Sequence, residues 1–207
     1  RSQHEIQSEI YNRAVSQFHL GLLDIRENRT GAAQSKLAEV KSLMDKLTDP
    51  QETRAMQEAY HFLSAEVLLA QGLADEAISE FQKMQLGLLN LSTPVTIIVR
   101  NLPYRVDLVA RAYETKGEID KAVAEYERLL EFKKSGNDLI HPFSRFRLAR
   151  LYEATGQQEK AVAEFREAIR LDPRYVAPQI LLGSSLLALG QVSEARTQLR
   201  QTVKLAP

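Results

Sequence analysis

Two stretches of this chain read the same five letters in the same frame, and that internal repetition restricts its possible folds more than any other feature. Residues 121–125 are Lys-Ala-Val-Ala-Glu followed by Tyr126, and residues 160–164 repeat them, followed by Phe165. Gly117 and Gly156 stand five residues before Ala122 and Ala161, and Tyr113 and Tyr152 stand four before each glycine. Downstream the frame continues in Gly190, Ala195 and Leu199, with Leu186 in the tyrosine position. Upstream it continues in Gly72, Ala77 and Phe81, with Leu68 there. A fifth copy reads Asn28, Ala33 and Leu37, with Asp24 where tyrosine would stand.

Such a frame describes two antiparallel helices joined by a tight turn. The glycine, or Asn28, ends the first helix at a point that needs a left-handed backbone. The alanine lets the second helix come close, and the aromatic or leucine four residues later lies one turn on along the same face. Apolar residues recur at helical spacing over 122–132, 147–155 and 158–171.

The run Leu148-Ala149, Tyr152, Gly156, Ala161, Phe165, Ala168 and Pro173 resembles the tetratricopeptide repeat family. So does the run Gly183, Leu186, Gly190, Ala195, Leu199 and Pro207. The resemblance implies an all-α superhelix of about five antiparallel pairs. Gly156 and Gly190 are 34 residues apart, which is the repeat length of that family. The other turns are 39, 45 and 44 apart, from Gly117 back to Asn28, so the first half is a longer and less regular relative. The extra residues are expected around Thr48-Asp49-Pro50, ahead of a long helix through Gln71, and in a connector from Leu86 to Pro103. A further insert is expected at Ser135-Gly136-Asn137-Asp138. In the connector, Val95-Thr96-Ile97-Ile98-Val99 is rich in β-branched residues, which disfavour helix. It reads as a sealing loop, with an edge strand or recognition loop as the alternative. The division expected is 1–85, irregular pairs; 86–103, connector; 104–207, regular pairs of one solenoid.

Charge and composition narrow the function. Twenty-seven basic residues balance 27 acidic ones, so there is no basic excess to attract nucleic acid or an anionic membrane. Without cysteine, disulfides and thiolate chemistry are excluded, while cytoplasm and periplasm both stay open. Leu86–Val99 is too short and too polar to span a bilayer. A chain that opens on Arg1 reads as one that has lost an upstream segment. His4, His19, His61 and His141 show no metal-ligand spacing, and no phosphate-binding glycine loop or nucleophile elbow occurs. Gly183-Ser184-Ser185 falls inside a helix of the fifth pair. Carboxylates such as Glu125, Glu127 and Glu131 sit among basic residues and read as a solvated face. The expectation is a protein without catalytic residues, metal or cofactor.

The resemblance also implies a concave groove, lined by the first helix of each pair, that takes a peptide or protein partner. Carried over by position, its candidates are Phe18, Leu22, Ile25, Phe62, Glu66 and Leu69. Tyr104, Asp107, Arg111 and Glu114 follow in the third pair. Phe143, Phe146, Arg150 and Glu153 belong to the fourth, and Ile180, Ser184 and Leu187 to the fifth. Arg111 and Arg150 each precede their glycine by six and are expected side by side, near Tyr104, Phe143 and Phe146. Guanidinium groups beside aromatic rings suit an acidic or carboxylate-bearing partner. Equally open is internal neutralisation of both arginines by Glu114 and Glu153. Family members that clamp the C-terminal carboxylate of heat-shock chaperones use lysines and asparagines. Leu22, Glu66 and Arg111 stand in the asparagine positions, so chaperone-tail binding is not expected. A second reading, a structural, sensor or dimerisation region of a larger multidomain bacterial protein, stays beside the scaffold reading. An apolar outward face at Val192, Val203 and Leu205 predicts a further C-terminal element or self-association through that end.

Overall fold

Asn28, Gly72, Gly117, Gly156 and Gly190 adopt a left-handed backbone in the computed structural model of the chain, with φ between 57° and 79°. They are the five turn residues of the repeat frame. The structure describes residues 2–84, 107–132 and 142–205. Among these it forms ten α-helices and no strand. They are α1 (Gln3–Arg26), α2 (Thr30–Met44), α3 (Pro50–Ala70), α4 (Ala74–Gln82) and α5 (Leu108–Lys116), then α6 (Ile119–Phe132), α7 (Pro142–Ala154), α8 (Gln158–Leu171), α9 (Val176–Ala188) and α10 (Val192–Leu205). None is long and apolar enough to cross a membrane.

The turns share a hydrogen bond as well as a conformation. At Asn28, Gly72, Gly156 and Gly190 the next residue donates its N–H to the carbonyl five residues before itself. The donors Arg29, Leu73, Gln157 and Gln191 reach Asp24, Leu68, Tyr152 and Leu186 at 2.8–3.0 Å. This closes the last turn of α1, α3, α7 and α9, whose carbonyls would otherwise be orphaned. Asp24 departs from the apolar pattern because it accepts from Arg29 Nε at 2.9 Å, which compensates its burial.

Backbone contacts divide the chain into two units, Arg1–Gly117 and Glu118–Pro207. In the first, α1 packs on α2, α3 on α4, and both α1 and α2 on α3. Pro50 opens α3 under an Asp49 cap that accepts from the N–H groups of Gln51 and Glu52 at 2.8 and 2.9 Å. Gln7 latches the preceding turn onto α1, donating to the Lys46 carbonyl and accepting from the Thr48 N–H. The extra residues expected near 48–51 are thus absorbed by a short turn and by a first helix of 21 residues, against 13 in α7 and α9. The connector with Val95–Val99, and the insert at 135–138, lie outside the described residues.

In the second unit α7 packs on α8, α9 on both α8 and α10, and α6 on α7. Every alanine of the frame is fully buried: Ala33, Ala77, Ala122, Ala161 and Ala195 are each 0% exposed. A second small position lies seven residues before each turn, at Gly21, Ala65, Ala110, Ala149 and Gly183, all buried. At Gly183 an added Cβ would stand 2.5 Å from Leu199 Cδ2 and 2.6 Å from its Cγ. Small residues on both helices of a pair therefore set how closely they approach.

Candidate partner-binding surface

Positions ten, six and three residues before each turn share one face of every first helix, but they do not share one environment. In the first unit that face is interior. Phe18 and Phe62 are buried with ring centroids 6.4 Å apart. Leu22, Ile25 and Leu69 are partly buried hydrophobic residues packed against the same core.

The chemistry then changes from apolar to ionic. Glu66 on α3 and Arg111 on α5 occupy the same position of consecutive repeats and pair with each other through both carboxylate oxygens. One of these bonds, from Arg111 Nη1 to Glu66 Oε2, is 3.0 Å long. Arg111 Nε also donates to Asp107 Oδ1 at 2.8 Å. The Arg111, Glu66 and Asp107 side chains are 15%, 6% and 1% exposed. Burial alone would lower the Arg111 pKa, but the two carboxylates and their hydrogen bonds more than offset it and raise it above its ordinary value. The guanidinium is thus permanently charged and committed to the fold.

Glu66 and Asp107 both hold Arg111, and neither is the Glu114 to which one of the two readings of the sequence assigned it. Phe18, Phe62, Glu66 and Asp107 build the interior and offer no open surface. Tyr104 lies outside the described residues. Arg111 and Arg150 belong to different units.

The second unit turns the same face outward. Arg150 is exposed, its guanidinium carbon 6.0 Å from the centre of the Phe146 ring. Phe146 tilts against Tyr175 at 5.2 Å and Phe165 at 6.0 Å, and Phe143 stacks on Tyr175 at 6.4 Å. Arg147 lies 5.0 Å over Phe143. The result is an aromatic ledge edged by guanidinium groups, an arrangement favoured by the negative ring faces. Glu153 accepts from Ser185 Oγ of α9, tying the two first helices together. On α9 itself, Ile180 and Leu187 are 47% and 49% exposed with exposed Ser184 between them, and no residue of Val176–Ala188 is charged. Tyr175 and Arg147 were not among the positions picked from the sequence. Tyr175 is the N-cap of α9, ahead of its first-helix positions, and Arg147 lies one residue off the groove register.

A helical-repeat scaffold of paired helices is the class this fold defines. Residues 108–135, 144–175 and 176–201 match tetratricopeptide repeat profiles. Over these residues the chain is a tetratricopeptide repeat protein, and that repeat suits a protein-interaction scaffold. Solved structures share the fold at low identity. The TPR-like repeats assigned to a kinesin light chain of Podosopora anserina superpose with a TM-score of 0.59 at 22% identity, covering 94% of this chain and 95% of that one. The apo form of RapI gives 0.68 at 15%, covering 93% and 70%. MamA from Desulfovibrio magneticus RS-1 gives 0.53 at 16%, covering 93% and 94%. No curated protein matches the chain.

Proposed function

We propose that this chain is a binding scaffold whose partner-facing surface is the first-helix face of the second unit. Phe143, Phe146, Arg150 and Glu153 come from α7, and Ile180, Ser184 and Leu187 from α9. The observation that carries the reading is a contrast at equivalent positions. The first unit spends them on its interior, whereas the second leaves Arg150, Ile180, Ser184 and Leu187 exposed. An uncharged helix with two half-exposed aliphatic side chains gains by covering them, since burial is worth about 25 cal/mol per Å² of apolar surface. Arg150 adds selectivity for a carboxylate. The partner segment is therefore apolar on one side and acidic at its edge.

Peptides selected from a random display library against the chain test this. The enriched sequences should combine aliphatic residues with Asp or Glu. Arg150→Glu and Leu187→Asp should each weaken their binding by roughly tenfold or more, the equivalent of about 1.4 kcal/mol. Both positions are exposed, so the dichroism spectrum should not change. Selected peptides that bind both variants as tightly as wild type would refute the assignment.

A further inference from the structure

Six residues before their turns, the first helices carry Leu22, Glu66, Arg111, Arg150 and Ser184 in chain order. In the first unit the acid and the guanidinium at this position close on each other across consecutive repeats. Arg111 Nη1 reaches Glu66 Oε2 at 3.0 Å, and the two side chains are 15% and 6% exposed. In the second unit the consecutive residues are Arg150 and Ser184, and both are exposed. A serine stands where a carboxylate would answer the arginine.

Helices α7 and α9 are joined there from both sides of that position. Glu153 accepts from Ser185 Oγ, and the Phe146 ring lies 5.2 Å from that of Tyr175, the N-cap of α9. Phe146 also lies beneath the Arg150 guanidinium, whose carbon is 6.0 Å from the ring centre. The ring takes a face of the guanidinium and leaves its N–H edge for an acceptor. No carboxylate among the described residues fills that role, because Glu153, the acid three residues on, is engaged by Ser185.

Ile180 and Leu187 flank Ser184 on one stripe of α9, since steps of four and three residues return to nearly the same side of a helix. They are 47% and 49% exposed. At about 1.5 Å per residue they stand about 10.5 Å apart along the axis. An extended peptide presents the same side every second residue, at about 6.8 or 13.6 Å, and misses that spacing. A second helix laid along α9 has the same rise and meets it with residues seven apart.

We propose that the partner of this surface is a helix that sets an acidic side chain over Ser184, between two aliphatic residues seven apart. Its carboxylate completes Arg150 as Glu66 completes Arg111, and its aliphatic residues cover Ile180 and Leu187. Ser184 thereby determines specificity. Small and uncharged, it leaves Arg150 open to an acid from outside, whereas an acid at 184 would close the pair within the chain. The inference rests on the groove reading above.

A synthetic helical peptide of alanine and glutamine tests it, with two leucines seven apart and a glutamate four residues after the first. In a fluorescence anisotropy titration the wild-type chain should bind this peptide. Replacing the peptide glutamate by glutamine should weaken binding roughly two- to fivefold, the range of a partly exposed ion pair. Ser184→Glu should weaken the glutamate peptide by roughly tenfold or more with an unchanged dichroism spectrum, because Arg150 is then occupied and like charges face each other. Ser184→Gln, equal in size and uncharged, should retain most of the binding. A peptide with lysine in place of the glutamate should prefer Arg150→Glu to wild type. The proposal is overturned if the glutamate peptide does not bind wild type, if Ser184→Glu binds it as tightly, or if Ser184→Gln loses as much as Ser184→Glu. Library-selected peptides that depend on Arg150 and Leu187 but ignore Ser184→Glu would overturn it and leave the groove reading standing. Indifference to Arg150 and Leu187 would sink that reading itself.

Discussion

Replacing glycine by alanine within a helix normally stabilises it by about 0.5–1 kcal/mol, because alanine has less backbone freedom to lose. Gly31 in the first turn of α2 meets that condition, since an added Cβ there has nothing within 4 Å. Gly31→Ala should therefore stabilise by up to about 1 kcal/mol. Gly183→Ala begins with the same gain, but its Cβ would overlap Leu199 Cγ at 2.6 Å as well as Cδ2 at 2.5 Å. The Cγ atom is a branch point, so rotation of the side-chain tip cannot relieve the clash and α10 must move. Overpacking of this kind costs about 1–3 kcal/mol, which offsets that gain and leaves a net loss of up to about 2.5 kcal/mol. At about 2–4 °C per kcal/mol for a chain of this size, thermal unfolding followed by circular dichroism resolves the two signs. The loss at Gly183 should disappear in a Leu199→Ala background, which removes the clashing branch and makes the coupling measurable. Equal stabilisation by Gly31→Ala and Gly183→Ala would refute the close approach of α9 and α10.

Three other outcomes follow from the packing and charge. Ala161→Leu should cost about 1–3 kcal/mol in denaturant unfolding, because Ala161 is fully buried, while Ala163→Leu on the exposed side of the same helix should cost little. Arg111→Leu leaves the Glu66 and Asp107 carboxylates buried without their cation and should cost about 3–5 kcal/mol, whereas Arg150→Leu should barely change stability. Tyr152 is buried and its hydroxyl donates to Glu127 Oε1 at 2.6 Å. Burial first, then Glu127, raises its pKa above the ordinary 10.0. Its stabilising contribution is complete below pH 10 and is lost as the pH climbs from there towards the folded-state value. Tyr152→Phe should flatten that part of a stability–pH curve.

The turn frame was legible because few residues tolerate a left-handed backbone, so Asn28 and the four glycines mark the turns by chemistry alone. The second small position, from Gly21 to Gly183, is equally visible at seven residues before each turn. The Glu66–Arg111 pair also left a trace, since opposite charges occupy one position of consecutive repeats 45 residues apart. Spacing within the helix points instead to Glu114, three residues on, because a partner 45 residues away leaves no local signal. Which first-helix faces stay open was not legible. Position fixes the direction of a side chain, as for Phe62 and Phe146, but what covers it depends on the neighbouring elements.

The position occupied by Leu22, Glu66 and Arg111 gives the hairpins of the first unit individual addresses. Repeat arrays are often treated as beads that can be dropped, duplicated or shuffled, because each touches only its neighbours. Here excision of the α3–α4 hairpin would offer Leu22 to Arg111 and Phe18 to Asp107, setting buried charges against hydrocarbon. Duplicating it would place one Glu66 against another. The order of these repeats is therefore enforced by electrostatics as well as by chain connectivity, and an engineered array would need the whole ionic trio moved together.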